Sequence, residues 1–85
     1  MNLVFSSRAW DDLKSWERRD RRVRKRIEKL IDDCLRSPFS GIGKPEPLRG
    51  DRSGFWSRRI TDEHRLVYRV TADAIMIESC VGHYE

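Results

Sequence analysis

Apolar positions recur along the chain in two rhythms. Val23, Ile27, Leu30, Ile31, Cys34 and Leu35 stand at offsets 0, 4, 7, 8, 11 and 12, one face of a helix with about 3.6 residues per turn. The Arg, Lys, Glu and Asp residues between them face water. Asp20 stands where an N-cap belongs. Ser37-Pro38 ends the helix, because a residue before proline disfavours helical backbone. Upstream, Trp10, Leu13 and Trp16 recur every three residues and mark one stripe of a shorter helix. A serine of the Ser6-Ser7 pair caps it, and Leu3-Val4-Phe5 reads as a short strand before it.

Beyond residue 54 the pattern is that of strands. Residues 55–60, 65–70 and 74 to about 81 predict three of them, separated by turns at 61–64 and 71–73. Turns this short make neighbours antiparallel. In the second strand, Leu66, Tyr68 and Val70 lie on one side and Arg65, Val67 and Arg69 on the other, so one face meets the helices and one meets water. Parity does not separate the faces of Ile75-Met76-Ile77-Glu78-Ser79-Cys80. Residues 38–54 are a loop full of breakers: Pro38, Gly41, Gly43, Pro45, Pro47, Gly50 and Gly54. A loop of that length in a small domain usually has a task. The order strand, helix, helix, strand, strand, strand predicts an α+β domain. Two N-terminal helices pack on one side of a small antiparallel sheet, and the arginines lie on the opposite face.

Eighty-five residues suit one domain, 1–85. A chain this short buries only about 60% of its unfolded surface, so a partner would help its stability. No stretch approaches the roughly 20 apolar residues that span a bilayer, and Met1 to Phe5 lacks the flanks of a signal peptide. Cys34 and Cys80 lie in apolar surroundings, which favours buried free thiols over a disulfide. These features together point to the cytoplasm.

Charge changes the picture more than composition does. The net charge is +4; residues 1–37 hold eleven Lys/Arg against seven Asp/Glu, and residues 38–85 hold seven of each. Yet the second half gathers Arg49, Arg52, Arg58, Arg59, Arg65 and Arg69 with Trp56 and Tyr68 among them. Arginine with aromatic rings suits phosphates and unstacked bases. The basic run from Arg18 to Arg26 fits a solvated helix face as well as a nucleic-acid contact.

The sequence has no phosphate-binding loop, dinucleotide-binding glycine motif, nucleophile elbow or Cys/His/carboxylate cluster at metal-ligand spacing. No cofactor and no metal are expected. Metal-free RNA cleavage fits what remains. The 2′-hydroxyl attacks its adjacent phosphate, a base takes the hydroxyl proton, cations stabilise the phosphoryl oxygens, and an acid protonates the leaving oxygen. Glu46, held between Pro45 and Pro47, is a constrained carboxylate beside basic residues, although the residues alone favour an ordinary solvated Glu. The terminal pair His83-Tyr84 supplies an imidazole, or is merely a solvated tail. His64, beside Asp62 and Glu63 in a turn, is the rival imidazole and reads as structural or solvent-facing.

The residues also resemble a known family. Pro45-Glu46-Pro47-Leu48, Ser53-Gly54-Phe55-Trp56-Ser57-Arg58-Arg59-Ile60, His64-Arg65-Leu66-Val67-Tyr68 and His83-Tyr84 look like YoeB toxins of the RelE-like toxin–antitoxin superfamily. Trp10-Asp11-Asp12, Trp16 and Pro38-Phe39 also fit. The resemblance implies a ribosome-dependent messenger-RNA endonuclease acting in the decoding site. On the matching positions, Glu46 is the general base, His83 the general acid and Arg65 the main phosphate stabiliser. Arg59 is a secondary basic contributor, and Tyr84 orients the substrate nucleotide. At position 49 the family leads one to expect Lys; this chain has Arg49, which keeps the charge but changes the contact with RNA or ribosome. Glu85 adds a negative charge beside His83. The resemblance also implies a YefM-like antitoxin with an acidic flexible segment, a toxin homodimer, and contact with operator DNA only through the antitoxin. Two other classes stay open: a ParE-type toxin of the same fold acting on DNA gyrase, and a simple nucleic-acid-binding module.

Overall fold

The computed structural model of the chain describes residues 1–83. A short strand β1 (Asn2–Phe5) leads into helices α1 (Ser7–Arg19) and α2 (Arg21–Arg36). Ser6 caps α1, its Oγ accepting from the Ala9 N–H at 3.0 Å. Asp20 is the single extended residue between the helices and serves both. Its N–H closes α1 on the Trp16 carbonyl, and its carboxylate accepts the Arg22 N–H at 3.0 Å to open α2. One residue with two capping roles turns the chain sharply with little backbone left unpaired.

The loop then yields a two-residue strand β2 (Glu46–Pro47) and a 3-10 turn at Gly50–Arg52. Strands β3 (Trp56–Arg59), β4 (Arg65–Val70) and β5 (Ala74–Ser79) complete a five-stranded sheet in the order β1-β5-β4-β3-β2. Two helices on one small sheet is the expected class. The sheet itself differs from expectation in two ways. It is mixed, because β1 pairs parallel with β5 while the other neighbours are antiparallel. The two helices and strands β2 to β4 lie between β1 and β5 in the chain, the long connection that parallel pairing needs. Second, Glu46 and Pro47 are not loop but edge strand, opposite Ser57 and Trp56. Proline is tolerated there because an edge strand has one unpaired side.

Ala9, Leu13, Trp16, Ile27, Leu30, Ile31, Cys34, Leu66, Tyr68, Ile75, Ile77 and Cys80 form the buried core between helices and sheet. Both cysteines are free and buried, and burial pushes the Cys80 thiol up to about 12. Trp10 departs from its expected stripe: it is 52% exposed and meets Phe5 edge-on at 6.1 Å. At six-residue separation from Trp16 it has rotated to the margin of the apolar face.

Two strand expectations are corrected. Val67, expected to face water, is fully buried. It lies in register between Ser57 and Ser79, both also buried, and the β4–β5 pairing shifts between Val67 and Tyr68. The centre of the open face is thus a row of small buried residues, with the long charged side chains around it. Arg58, expected on that open face, is instead completely buried on the helix side. Strand alternation puts it on the same side as Trp56 and Ile60.

Candidate active site

The loop arm of the site is set by Arg58. Its Nη1 donates to Asp33 Oδ2 at 2.7 Å and to the Ile42 carbonyl at 3.1 Å. Its Nη2 donates to the carbonyls of Ser37 and Ser40 at 2.6 and 2.8 Å, and its Nε to the Tyr68 hydroxyl at 3.1 Å. Tyr68 passes the interaction on by donating to the Pro38 carbonyl at 2.8 Å. Asp33 Oδ2 also accepts the Ile42 N–H. Hydrogen bonds from Arg58 and Ile42 hold the Asp33 carboxyl below its ordinary value. Burial pushes the Tyr68 phenol up to about 12.

One buried guanidinium therefore gathers residues 37–42 and fastens them to α2. Gly43, at φ +80°, follows directly; a Cβ there would come within 2.6 Å of Leu30 Cδ2. Its carbonyl accepts the Arg59 N–H at 2.6 Å. The loop is thereby laid along β3, and Glu46 is delivered to the sheet edge.

The tail arm is set by α1 and the turn at 61–64. Asp12 Oδ2 accepts the Cys80 N–H at 3.0 Å, and Trp16 Nε1 donates to the Cys80 carbonyl at 2.9 Å. Two residues on, the Gly82 carbonyl accepts the Arg65 N–H at 2.9 Å. The Gly82 N–H donates to His64 Nδ1 at 3.0 Å. Arg65 places Nη1 against the carbonyls of Thr61, Asp62 and His64 and turns Nη2 to His83 Nε2 at 3.2 Å. A guanidinium can only donate. A hydrogen bond in this contact therefore has Nε2 as its acceptor.

Between the arms lies a groove of about 460 Å³. Glu46, Arg49, Arg59, Arg65 and His83, the site residues singled out in the sequence as far as the chain is described, all line it. Tyr84 and Glu85 lie outside the described residues. Lys44 and Ser57, which the sequence reading passed over, line it as well. Their signal was positional: Lys44 flanks the Pro-Glu-Pro segment, and Ser57 alternates with Arg59. Arg59 and Arg65 are direct register partners on β3 and β4. Like charges directly opposite one another destabilise a sheet, so an anion resting against the pair would relieve it. A groove with one carboxylate, one imidazole, an opposed arginine pair and two further cations can hold a phosphodiester and exchange protons with it. Among the described residues no three His, Cys, Asp or Glu side chains come together as a metal site, and no helix is long and apolar enough to cross a membrane.

The family model of the YoeB-like toxin of bacterial type II toxin–antitoxin systems matches residues 5–84. The chain belongs to this family. It is 55% identical to Toxin YoeB of Escherichia coli over 84 residues, covering 99% of this chain and 100% of that protein. A solved YoeB/ParE toxin from Agrobacterium tumefaciens superposes with a TM-score of 0.96 at 49% identity, covering 99% of this chain and 100% of that one. A YoeB dimer and a heterotetrameric YoeB–YefM toxin–antitoxin complex, both from Staphylococcus aureus, give TM-scores of 0.92 and 0.90. Each is 42% identical, with 99% of this chain and 98% of the other covered. The chain is thus a toxin of a toxin–antitoxin system.

Proposed function

We propose that this single-domain toxin is a ribosome-dependent endoribonuclease that cuts messenger RNA in the decoding site and so stops translation. The observation that carries the reading is the meeting of Glu46 and His83 in one groove with the opposed Arg59–Arg65 pair. Glu46 accepts the proton of the 2′-hydroxyl as that oxygen bonds to phosphorus. The bond from phosphorus to the 5′-oxygen breaks, and His83 gives that oxygen a proton. The products are a 2′,3′-cyclic phosphate and a 5′-hydroxyl. Arg65 stabilises the phosphoryl oxygens with Arg59 in support; Arg49 holds the flanking backbone, and Tyr84 orients the nucleotide.

Arg65 and His83 are in contact within the groove. A bound phosphate attracts the Arg65 guanidinium to itself and leaves the His83 imidazole free to carry the proton it donates. Ribosome dependence has a physical basis. A small domain with one carboxylate and one imidazole gains most from a message already held single-stranded near in-line geometry.

The partners follow from the surface. Trp10 and Phe39 are about half exposed, and Leu3, Val4 and Ile42 show about 40% of their surface. The Phe5–Trp10 and Phe39–Trp56 ring pairs are apolar points that a partner could cover. The basic groove suits the acidic, flexible segment of a YefM-like antitoxin. A homodimer, contact with operator DNA only through the antitoxin, and a cytoplasmic location complete the reading.

The test is cleavage of a defined message by purified toxin on ribosomes held at constant magnesium, with and without a chelator selective for transition metals. The wild type is expected to cut in both. His83→Ala is expected to lose about 10²- to 10⁴-fold in rate. Full cleavage by that variant would remove the assigned acid. DNA damage in expressing cells without RNA cuts would point to gyrase instead.

A further inference from the structure

His64 stands outside the groove, yet it touches the segment that carries His83. Its ring stands edge-on to Trp16, with centroids 4.8 Å apart at 81°. Both rings line a hollow together with Arg19, Asp20 and Glu63. His64 Nδ1 accepts the Gly82 N–H at 3.0 Å. A main-chain amide only donates, so Nδ1 carries no proton in this arrangement.

Gly82 is the last residue before His83 and has a φ of +100°. A Cβ placed on it would meet nothing within 4 Å, so its glycine character serves conformation rather than space. Left alone, a glycine at this point is a swivel. Here both of its polar main-chain groups are taken, the carbonyl by the Arg65 N–H and the N–H by His64. The neighbours 64 and 65 thus grip Gly82 from both sides, and Arg65 reaches onward to the His83 ring. Cys80, two residues earlier, is held in the same two-sided way by Asp12 and Trp16.

We propose that His64 is a positioning residue, whose unprotonated Nδ1 locks the Gly82 swivel and fixes the direction in which His83 enters the groove. The inference rests on His83 being the acid of the proposed reaction. His64 itself touches neither RNA nor the reacting atoms. Its loss lowers kcat and leaves KM for the programmed ribosome unchanged. Misplacing a reacting group by about an ångström costs on the order of 10²-fold, so a fall of about 10- to 100-fold is expected.

The closing experiment measures cleavage on ribosomes programmed with a defined message, using purified wild type, His83→Ala, His64→Ala, His64→Asn and His64→Gln. Asparagine carries its carbonyl oxygen where Nδ1 lies; glutamine carries it one bond further out, near Nε2. The expected result is a slow His64→Ala and His64→Gln with unchanged KM, and a His64→Asn restored most of the way to wild type. Amide hydrogen exchange at Gly82 should be protected in wild type and His64→Asn and fast in His64→Gln. The Asn/Gln pair keeps the test decisive if the alanine variant fails to fold. A wild-type kcat in folded His64→Gln, or an Asn variant as slow as Gln, overturns the proposal. If His83→Ala cleaves at the wild-type rate, the reading of the site has failed instead, whatever the His64 variants do.

Discussion

The two arms of the groove are fastened by opposite strategies. The loop arm, whose far end β2 pairs with β3, is gathered at its base by one side chain: the buried Arg58 guanidinium bonds to Asp33, Tyr68 and the carbonyls of Ser37, Ser40 and Ile42. The tail arm, which delivers His83, is held by Asp12, Trp16, His64 and the main chain of Arg65, each making one bond to residue 80 or 82. A concentrated anchor fails all at once, since its loss takes the donor from several part-buried carbonyls together. A distributed anchor fails by degrees. The difference suits what each arm carries: a carboxylate on a sheet edge that must stay put, and an imidazole at the end of a tail.

The sharpest way to break the comparison is Arg58→Met. It keeps the apolar stem but removes the guanidinium, so the carbonyls of Ser37, Ser40 and Ile42 lose their donor and Asp33 keeps only Ile42 and Arg36. Each lost hydrogen bond to a charged group is worth about 1.5–3 kcal/mol, so a fall in Tm of roughly 10 °C or more is expected by calorimetry. Ribosome-dependent cleavage should fall with it as the loop arm is released. A variant with near wild-type Tm would show that the loop does not depend on one residue.

Trp16→Phe should do less. It keeps most of the ring packing and removes the Nε1 donor to the Cys80 carbonyl. One lost hydrogen bond to a buried acceptor costs about 1–3 kcal/mol, readable as a shift in the denaturant midpoint. The tail remains held by Asp12 and by the two bonds to Gly82, so cleavage should survive. Complete loss of cleavage in a folded Trp16→Phe protein would show the tail anchor to be as concentrated as the loop anchor.

The smallest effect at neutral pH separates the arms by acid. Asp33 has a folded pKa below its ordinary 3.8. A depressed carboxyl contributes stability that is fully present above the unfolded value, shrinks as pH falls below it, and is gone once pH passes the folded value. The Tm of the wild type should therefore drop on acidification below about pH 4. Asp33→Asn should flatten that part of the profile. An unchanged acid slope in that variant would mean that Asp33 contributes nothing to holding the loop arm.

Much of this was legible in order. The 3.6-residue rhythm of Val23 to Leu35 marked α2, and Asp20 marked the junction, because capping and periodicity act between neighbours in the chain. The candidate site was legible as residue types: Glu46 between prolines, the arginines, and His83 near the end. That the groove brings Glu46 and His83 together depends on contacts spanning most of the chain. Asp12 and Cys80 are in contact across 68 residues, and no local pattern encodes that. The burial of Arg58 was half visible, since it shares strand parity with Trp56 and Ile60. What was missing was its counter-charge, Asp33 on α2, which makes burial of a guanidinium tolerable.

The amino-acid order by itself determined the helices, the later strands, the breaker-rich loop and the stock of chemical groups, since each rests on propensities and spacings within a few residues. The tertiary structure alone decided three further points. The last strand enters the sheet beside the first in parallel, one arginine of an adjacent pair goes inward while the other faces the groove, and the imidazole in the 61–64 turn grips the tail. Each depends on which distant segments share a surface, and that is settled by packing and by the pairing of buried polar groups, not by neighbours along the chain.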